Sequence, residues 1–431
     1  QSIGRVLLNN HEKKSGMMNV MQTKSVPVTM KMVVDAYRAV RANKGSGGVD
    51  GMSLQAYEAD ISRQLYKVWN RLTSGSYHPP EVRQVQIPKA GGKVRELGIP
   101  TVGDRVAQQV IKTYLEPRYE ALFSKSSYGY RPGRNAHQAI KSCQQDCWKY
   151  EWVIDLDIRA FFDNIDHNWM LRMLEEEVEE KWVLMYIRRW LQASVQKADG
   201  TVEQRSKGTP QGGVISPLLS NIYLHYALDL WLEQRQGHVT FQRYADDAVI
   251  HCQSKEGAVE LLKAIKERLK KFGLALNEEK TRIVYCKRGN REDKKEEQQK
   301  FKFLGHDFKP KTAKNHKTGK KFLTYMATIS KASRVKISGV LKSYELHKRT
   351  DLSLKELGEL INAKVHGWIS YFEPYGRNGL WHEFGRLNVK LIKWWQRKYK
   401  IRSIYKAIEQ IRAEQRNNLR LFAHWHAGYT I

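Results

Sequence analysis

Two adjacent carboxylates lie at the tip of a predicted β-hairpin. Asp246 and Asp247 follow a β-prone run at 239–243 and precede another at 248–252. Neighbouring like charges raise each other's pKa unless positive charge lies beside them. A pair of divalent cations would supply that charge, and carboxylates on a rigid turn suit Mg²⁺ at a nucleotidyl-transfer site. Asp is also common in ordinary turns, so the motif at 244–247 leaves both interpretations open.

The charge balance indicates a polyanionic partner. The 431 residues include 74 Lys and Arg against 45 Asp and Glu, for a net charge of +29. Residues 309–431 hold 26 of the basic and 8 of the acidic residues, and so contribute +18. Because the charge is spread through periodic, aromatic-rich sequence, nucleic acid is favoured over a basic tail. A mean hydropathy of −0.61 and the lack of a long apolar run exclude a membrane span.

Cysteine spacing gives no metal or disulfide signature. The four cysteines are Cys143, Cys147, Cys252 and Cys286, and no C-x-x-C pair occurs among them. Cys143 and Cys147 are four residues apart, which places them on one helix face as small packing residues. The sequence therefore predicts neither a structural zinc nor a disulfide framework, and favours a reducing compartment.

Strand and helix patterns interleave from about residue 80 to 310, which predicts an α/β or α+β body. Residues 28–75 and the chain after about 330 look helical. Asp104 is expected to cap one helix, and Ser254 another.

Residues 82–88 and 94–99 alternate as strands, with a hairpin turn predicted at 90–92. Residues 287–300 are almost all polar and predict a solvated loop.

Several short blocks follow one another along the chain: 87–89, Arg95, 127–132, 157–163, 208–213, 244–247, 277–281 and 303–305. Each block is unspecific by itself, but the ordered series is specific. It resembles the reverse transcriptases encoded by group II introns, from about residue 30 to the C-terminus. The resemblance implies an α+β right-hand polymerase with fingers, a palm with an antiparallel sheet, and a helical thumb.

The same resemblance implies three segments and a catalytic site. Residues 1–75 would form an N-terminal extension, 76–310 the reverse transcriptase fingers and palm, and 311–431 the thumb or maturase (X) domain. The implied catalytic residues are Asp157, Asp246 and Asp247. Asp157, Asp246 and the carbonyl of Ile158 would hold two Mg²⁺ ions, with Mn²⁺ as a possible substitute.

Further site residues come from the same match. The implied nucleotide-binding residues are Lys89, Arg95, Phe162, Gln211, Gly212 and Lys280. The implied primer grip is Phe303, Leu304 and Gly305. Ordinary readings compete with these: Phe162 as a core aromatic, Lys280 as a surface lysine, and 303–305 as core strand.

The basic C-terminal segment is predicted to bind structured RNA. The candidate residues are Lys364, Lys390, Lys393, Arg397, Lys398 and Lys400. The helix at 389–400 would have a basic and an aromatic side. The glycine-rich stretch at 45–51 resembles a loop that covers the template, and the alternative is a flexible linker.

The resemblance implies an RNA-directed DNA polymerase that uses an RNA template, a DNA primer and deoxynucleoside triphosphates. It also implies binding of group II intron RNA, to assist splicing and retrohoming, in the cytoplasm of a bacterium near the nucleoid or a ribonucleoprotein. One alternative is an intron-free relative that serves DNA repair or defence. Another is a splicing factor whose polymerase site is dead, although the three intact aspartates oppose it.

Overall fold

The computed structural model describes residues 26–88, 94–235, 239–289, 291–292, 294, 297–315 and 317–431. The chain forms two compact units. The first unit takes its residues from Gln1–Tyr114, Val178–Arg205 and Gly212–Ile215, and the second from Leu115–Glu177, Ser206–Gln211 and Ser216–Ile431. The division into segments 1–75, 76–310 and 311–431 stays a prediction.

Helices and strands of the described ranges are numbered in chain order. The helices are α1 (Met30–Asn43), α2 (Leu54–Ala59), α3 (Ile61–Thr73), α4 (Val102–Leu122), α5 (Ala136–Lys149), α6 (His167–Glu175), α7 (Lys181–Leu191), α8 (Ser216–Leu224), α9 (Leu230–Glu233), α10 (Lys255–Lys271), α11 (Lys331–Ser343), α12 (Leu354–Lys398), α13 (Ile404–Asn417) and α14 (Ala423–His426). The strands are β1 (Val82–Pro88), β2 (Val94–Ile99), β3 (Trp152–Leu156), β4 (Val195–Gln196), β5 (Val202–Glu203), β6 (Val239–Tyr244), β7 (Asp247–Cys252), β8 (Arg282–Tyr285), β9 (Phe301–Phe303), β10 (His306–Lys314) and β11 (Lys321–Ile329).

The first unit combines helices with a sheet of order β2-β1-β4-β5. The two strands predicted at 82–88 and 94–99 are confirmed as an antiparallel pair. The turn predicted at 90–92 lies outside the described residues. The predicted helical character of 28–75 is confirmed by α1, α2 and α3.

The predicted capping role of Asp104 is wrong. The hydroxyl of Thr101 accepts from the Asp104 amide at 3.2 Å and so supplies the side-chain contact at the start of α4. The Asp104 carboxylate lies in the core of the first unit instead. It accepts hydrogen bonds from Tyr77 Oη at 2.7 Å, Trp190 Nε1 at 2.8 Å and Gln108 Nε2 at 2.9 Å. Burial raises the pKa of Asp104, and these three donors oppose the increase.

The second unit is built on an antiparallel sheet of order β6-β7-β3-β8. Successive strand residues point to opposite faces, and Val153, Val249 and Val284 lie buried on the face that packs against α5. The hydroxyl of Ser254 accepts from the Gly257 amide at 3.0 Å, which confirms the predicted cap of α10. Helices and antiparallel strands alternate along the unit, so the α+β prediction is confirmed.

The C-terminal part of the second unit adds a sheet of order β11-β10-β9 and the helices α11 to α14. In the described ranges after Ser330 only helical elements follow, as predicted. The long α12 begins with a capping box between Ser353 and Glu356. It is kinked where Pro374 precedes Gly376, whose φ and ψ are −144° and 25°. Among the described residues no helix has both the length and the apolar character needed to cross a bilayer.

Candidate active site

Strand register brings the three predicted catalytic carboxylates together. The last pair between β3 and β7 is Leu156 with Ala248, so Asp157 and Asp247 come next on facing strand ends. Asp246 occupies the turn between β6 and β7, next to Ala245 in the left-handed region at φ 58°. The predicted hairpin tip is therefore confirmed, and residues 90 positions apart in the chain meet at one sheet end.

The charge density at this sheet end is only partly compensated. Desolvation by the surrounding protein raises the pKa of Asp247 to about 6, and repulsion from Asp246 and Asp157 adds to the increase. Lys280 opposes it: its Nζ lies 3.1 Å from Asp157 Oδ2. The ammonium is exposed, so it screens one carboxylate and leaves the cluster short of positive charge.

The backbone around Asp157 is fixed by the turn that carries Lys280. The Asn277 amide donates to the Asp157 carbonyl at 2.8 Å, and the Arg159 amide donates to the Ala275 carbonyl at 2.8 Å. The first of these bonds occupies the carbonyl of Asp157, whereas the predicted backbone ligand is the carbonyl of Ile158.

A fourth carboxylate, Asp155, was missed in the sequence. It precedes Asp157 by two residues on β3 and so faces the same side of the sheet. Burial raises the pKa of Asp155 to about 7, and the nearby Asp247 contributes, while a hydrogen bond from the Lys302 amide acts in the opposite direction. The two-residue spacing of the aspartates was the available signal.

A buried ion pair between Arg243 and Asp229 supports the backbone of the hairpin. Arg243, which is fully buried, donates from Nε to Asp229 Oδ1 at 2.8 Å. Its Nη1 donates to the Ala245 carbonyl at 2.9 Å and to Asn221 Oδ1 at 2.9 Å. Asp229 ends a π-helical turn, His225–Asp229, between α8 and α9. The guanidinium thus ties the residue before Asp246 to the body of the second unit.

The block at 127–132 lies directly on the hairpin. The Tyr128 amide donates to the Arg243 carbonyl at 2.8 Å, and Asn221 Nδ2 donates to the Gly129 carbonyl at 2.8 Å. A Cβ atom built on Gly129 would lie 2.4 Å from the Ala245 amide nitrogen. Only a residue without a side chain allows this approach.

Three of the predicted nucleotide-binding residues, Phe162, Gln211 and Lys280, belong to the second unit. Phe162 is half-buried, and its ring packs edge-on against Phe161 with centroids 5.5 Å apart. Its carbonyl accepts from the Thr209 amide at 2.8 Å, which joins the start of the 208–213 block to the segment after β3.

Two other predicted nucleotide-binding residues, Arg95 and Gly212, belong to the first unit. Arg95 lies exposed on β2, and Lys89 lies outside the described residues. Gly212 has a φ of 121°, and a Cβ there would lie 2.6 Å from the Gly98 carbonyl oxygen. Gln108 Oε1 accepts from the Val214 amide at 2.8 Å. The segment after Gly212 is therefore held by side-chain and backbone contacts within this unit.

The glycine-rich stretch at 45–51 is packed rather than free. Arg83 Nη2 donates to the Gly47 carbonyl at 2.7 Å, and Arg105 Nη1 donates to the Lys44 carbonyl at 3.3 Å. A Cβ on Gly48 would lie 2.6 Å from the Thr101 amide nitrogen. These contacts disfavour a flexible linker.

The primer-grip candidates form a tight turn between β9 and β10. Phe303 is buried in the core, so its side chain packs as the competing interpretation expected. Leu304 and Gly305 both have positive φ, 48° and 75°. Tyr371 Oη donates to the Leu304 carbonyl at 3.0 Å, and Ser333 Oγ donates to the Gly305 carbonyl at 2.8 Å.

The basic residues of the C-terminal helices divide into two groups. Lys390 Nζ donates to the Leu341 carbonyl at 2.9 Å, and Lys398 Nζ to the Thr350 carbonyl at 2.6 Å, so both hold the helical bundle together. The exposed ones are Lys364, Lys393, Arg397 and Lys400, and Arg397 Nη1 also donates to the His347 carbonyl at 3.1 Å.

The expected aromatic side of this helix is largely internal. Trp394 is fully buried, and its Nε1 donates to the Arg349 carbonyl at 2.8 Å. Tyr399 is 53% exposed and remains available at the surface.

Comparison with protein families gives two matches. Residues 87–308 match the family described as reverse transcriptase (RNA-dependent DNA polymerase). Residues 336–411 match the maturase-specific domain of group II introns.

Curated relatives include protein YkfC of Escherichia coli, which is 31% identical over 317 residues, covering 64% of this chain and 79% of YkfC. The group II intron-encoded protein LtrA of Lactococcus lactis is 32% identical over 250 residues, covering 58% of this chain and 40% of LtrA. Among solved structures, telomerase from Candida albicans aligns with 87% of this chain and 67% of that chain, at 12% identity and a TM-score of 0.45. The reverse transcriptase match spans more than half of the chain and contains every proposed catalytic carboxylate, so the chain belongs to the reverse transcriptases, with a group II intron maturase-specific domain after the polymerase region.

Proposed function

We propose that Asp157, Asp246 and Asp247 are the catalytic carboxylates with which this reverse transcriptase copies an RNA template from a DNA primer and deoxynucleoside triphosphates. The observation that carries the assignment is the register of β3 against β7, which sets Asp157 opposite Asp247 at the hairpin tip. The raised pKa of Asp247 supports it, because such repulsion is relieved when cations bind.

The donor set fits hard divalent cations, which take oxygen ligands. Two Mg²⁺ ions, or Mn²⁺ in their place, would be held by Asp157, Asp246 and the Ile158 carbonyl, and would activate the primer hydroxyl and neutralise charge on the phosphates. Asp247 adds negative charge that strengthens cation binding. Lys280, whose Nζ lies 3.1 Å from Asp157 Oδ2, would protonate the departing pyrophosphate.

The remaining roles follow the family pattern. Lys89 and Arg95 would bind the triphosphate as a point charge and a planar fork. Phe162 would exclude a 2′-hydroxyl, and Gln211 with Gly212 would line the nucleotide site. The grip on the primer would come from the backbone of Leu304 and Gly305, because Phe303 is turned into the core.

We further propose that the helical C-terminal part binds group II intron RNA and thereby assists splicing and retrohoming. The exposed Lys364, Lys393, Arg397 and Lys400 supply the phosphate contacts, while Lys390 and Lys398 position their helix. All four cysteines are buried free thiols, which fits a ribonucleoprotein in the reducing cytoplasm.

The decisive experiment is primer extension on RNA and on DNA templates, with and without Mg²⁺, using wild type and Asp246→Ala. The variant should lose extension and keep RNA affinity, because it removes a cation ligand and no basic side chain. Glu203→Ala is the matched control, since it removes one exposed negative charge that pairs with Lys197, outside the site. Extension that survives Asp246→Ala would refute the site.

The same assay separates the alternatives. A splicing factor with a dead polymerase would bind RNA and give no extension even as wild type. An intron-free enzyme would extend primers but bind group II intron RNA no better than an unrelated structured RNA of equal length.

A further inference from the structure

A second cluster of metal-binding side chains lies buried inside the second unit, between α5 and the sheet. Cys143 and Cys147 come from α5, His251 from β7, and Cys286 from the residue after β8. The two α5 sulfurs and a ring nitrogen of His251 all lie within 4.8 Å of one another. The Cys147 thiol is also within hydrogen-bond reach of Cys286. All four side chains are buried.

The hydrogen-bond network around His251 leaves one nitrogen available. Gln242 Nε2 donates to Asp146 Oδ2 at 2.7 Å, so its Oε1 is the acceptor that meets His251 Nε2 at 2.8 Å. Nε2 therefore carries the proton, and Nδ1 has a free lone pair. Among the described residues Nδ1 has no hydrogen-bond partner, although His251 is fully buried. A metal-binding histidine is typically fixed in this way, with its other nitrogen donating to an oxygen.

Arg291 fixes the backbone of two of the cysteines. Its Nη1 donates to the carbonyl of Cys147 at 3.2 Å and to that of Cys286 at 2.7 Å. Its Nη2 donates to the Trp148 carbonyl at 2.9 Å. The guanidinium thus holds the end of α5 against the end of β8, and its positive charge would offset the negative charge of thiolates.

We propose that Cys143, Cys147, His251 and Cys286 form a structural site for one Zn²⁺, which links α5 to the sheet that carries the catalytic aspartates. Thiolate and imidazole are the ligands that zinc prefers, and three Cys with one His is a common structural set. With Zn–S near 2.3 Å, a tetrahedral site spaces its ligand atoms roughly 3.5–4 Å apart. The Cys143 and Cys147 sulfurs and the His251 nitrogen, all within 4.8 Å of one another, need to close by about 1 Å, and Cys286 joins them through its contact with Cys147.

The cluster also explains why cysteine spacing predicted no zinc. Zinc signatures in sequence rely on pairs of ligands that lie only a few residues apart in the chain. Here the ligands come from a helix and two separate strands, and only the fold brings them together.

The test is zinc content of the full chain, purified without chelator and measured by elemental mass spectrometry alongside the protein concentration. We expect about one zinc per chain for wild type, and loss of most of it in Cys147→Ser. Cys252→Ser is the matched control, because Cys252 is the neighbour of His251 on β7 and is equally buried but lies outside the cluster. Its zinc content should equal that of wild type.

A second measurement needs only the wild-type chain, in case Cys147→Ser fails to fold. Chain produced with Co²⁺ as the metal should show the intense thiolate-to-cobalt absorption and the visible bands of a tetrahedral site. Wild-type chain that takes up neither zinc nor cobalt, or a folded Cys147→Ser that keeps its zinc, would overturn the proposal. Neither readout depends on polymerase activity.

Discussion

Gly129→Ala should impair catalysis through the hairpin without touching any catalytic group. The added Cβ would lie 2.4 Å from the Ala245 amide nitrogen and 3.0 Å from the Tyr244 carbonyl carbon, whereas ordinary contacts begin near 3.4 Å. The two backbones must therefore separate by about 1 Å. Ala245 immediately precedes Asp246, so the displacement passes to the carboxylates.

The expected loss is about 100-fold in the single-turnover rate, since a misplacement of about 1 Å at a reacting centre costs on the order of 10²-fold. The assay is incorporation of one deoxynucleotide on a primed RNA template under saturating Mg²⁺, with thermal unfolding measured in parallel. Template affinity should stay unchanged.

Gly133→Ala is the matched control. Gly133 lies in the same segment, and a Cβ there meets nothing within 4 Å, although its φ of 69° makes alanine strained. That variant should lose about 1–2 kcal/mol of stability and keep its rate. The reasoning fails if Gly129→Ala extends primers at the wild-type rate, or if both variants slow equally.

Phe162→Ala should raise ribonucleotide incorporation relative to deoxynucleotide incorporation by about tenfold or more, measured by competition on one template; unchanged selectivity would show that Phe162 only packs. Burial raises the pKa of Asp155 from its ordinary value to about 7, so its contribution to metal-free stability is lost as pH rises from about 4 through 7. In the presence of a metal chelator, Asp155→Asn should therefore stabilise the protein against denaturant at about pH 8 and not at about pH 4. Equal effects at both pH values would contradict the raised pKa of Asp155. Asp229→Ala leaves the buried Arg243 unpaired and should cost about 3–5 kcal/mol in denaturant unfolding; a cost below about 1 kcal/mol would show that water replaces the carboxylate.

The hairpin was predictable because its information is local. Two β-prone runs flank the turn, and alternation fixes which side chains share a face. The order of the blocks supplied the partner strand that ends at Asp157. The strand register, in which Leu156 pairs with Ala248, then brings Asp157 next to Asp247.

The supporting contacts were not predictable from the sequence. Asp229, which pairs with Arg243, lies at the end of a π-helical turn, and no sequence pattern indicated such a turn. Asp104 illustrates the opposite error. An acidic residue near a helix start resembles a cap, but the Asp104 carboxylate instead accepts hydrogen bonds from Tyr77 and Trp190 in the core.

The turn at Leu304 and Gly305 has little freedom of its own. Its two carbonyls are held by hydroxyls from α12 and α11, so its position is set by the helices that also present the exposed basic residues. Under the roles proposed above for these helices and this turn, RNA that binds the helices would also displace the turn that contacts the primer. Intron recognition and DNA synthesis would then be coupled mechanically, in part through the hydrogen bonds of Tyr371 and Ser333 to this turn.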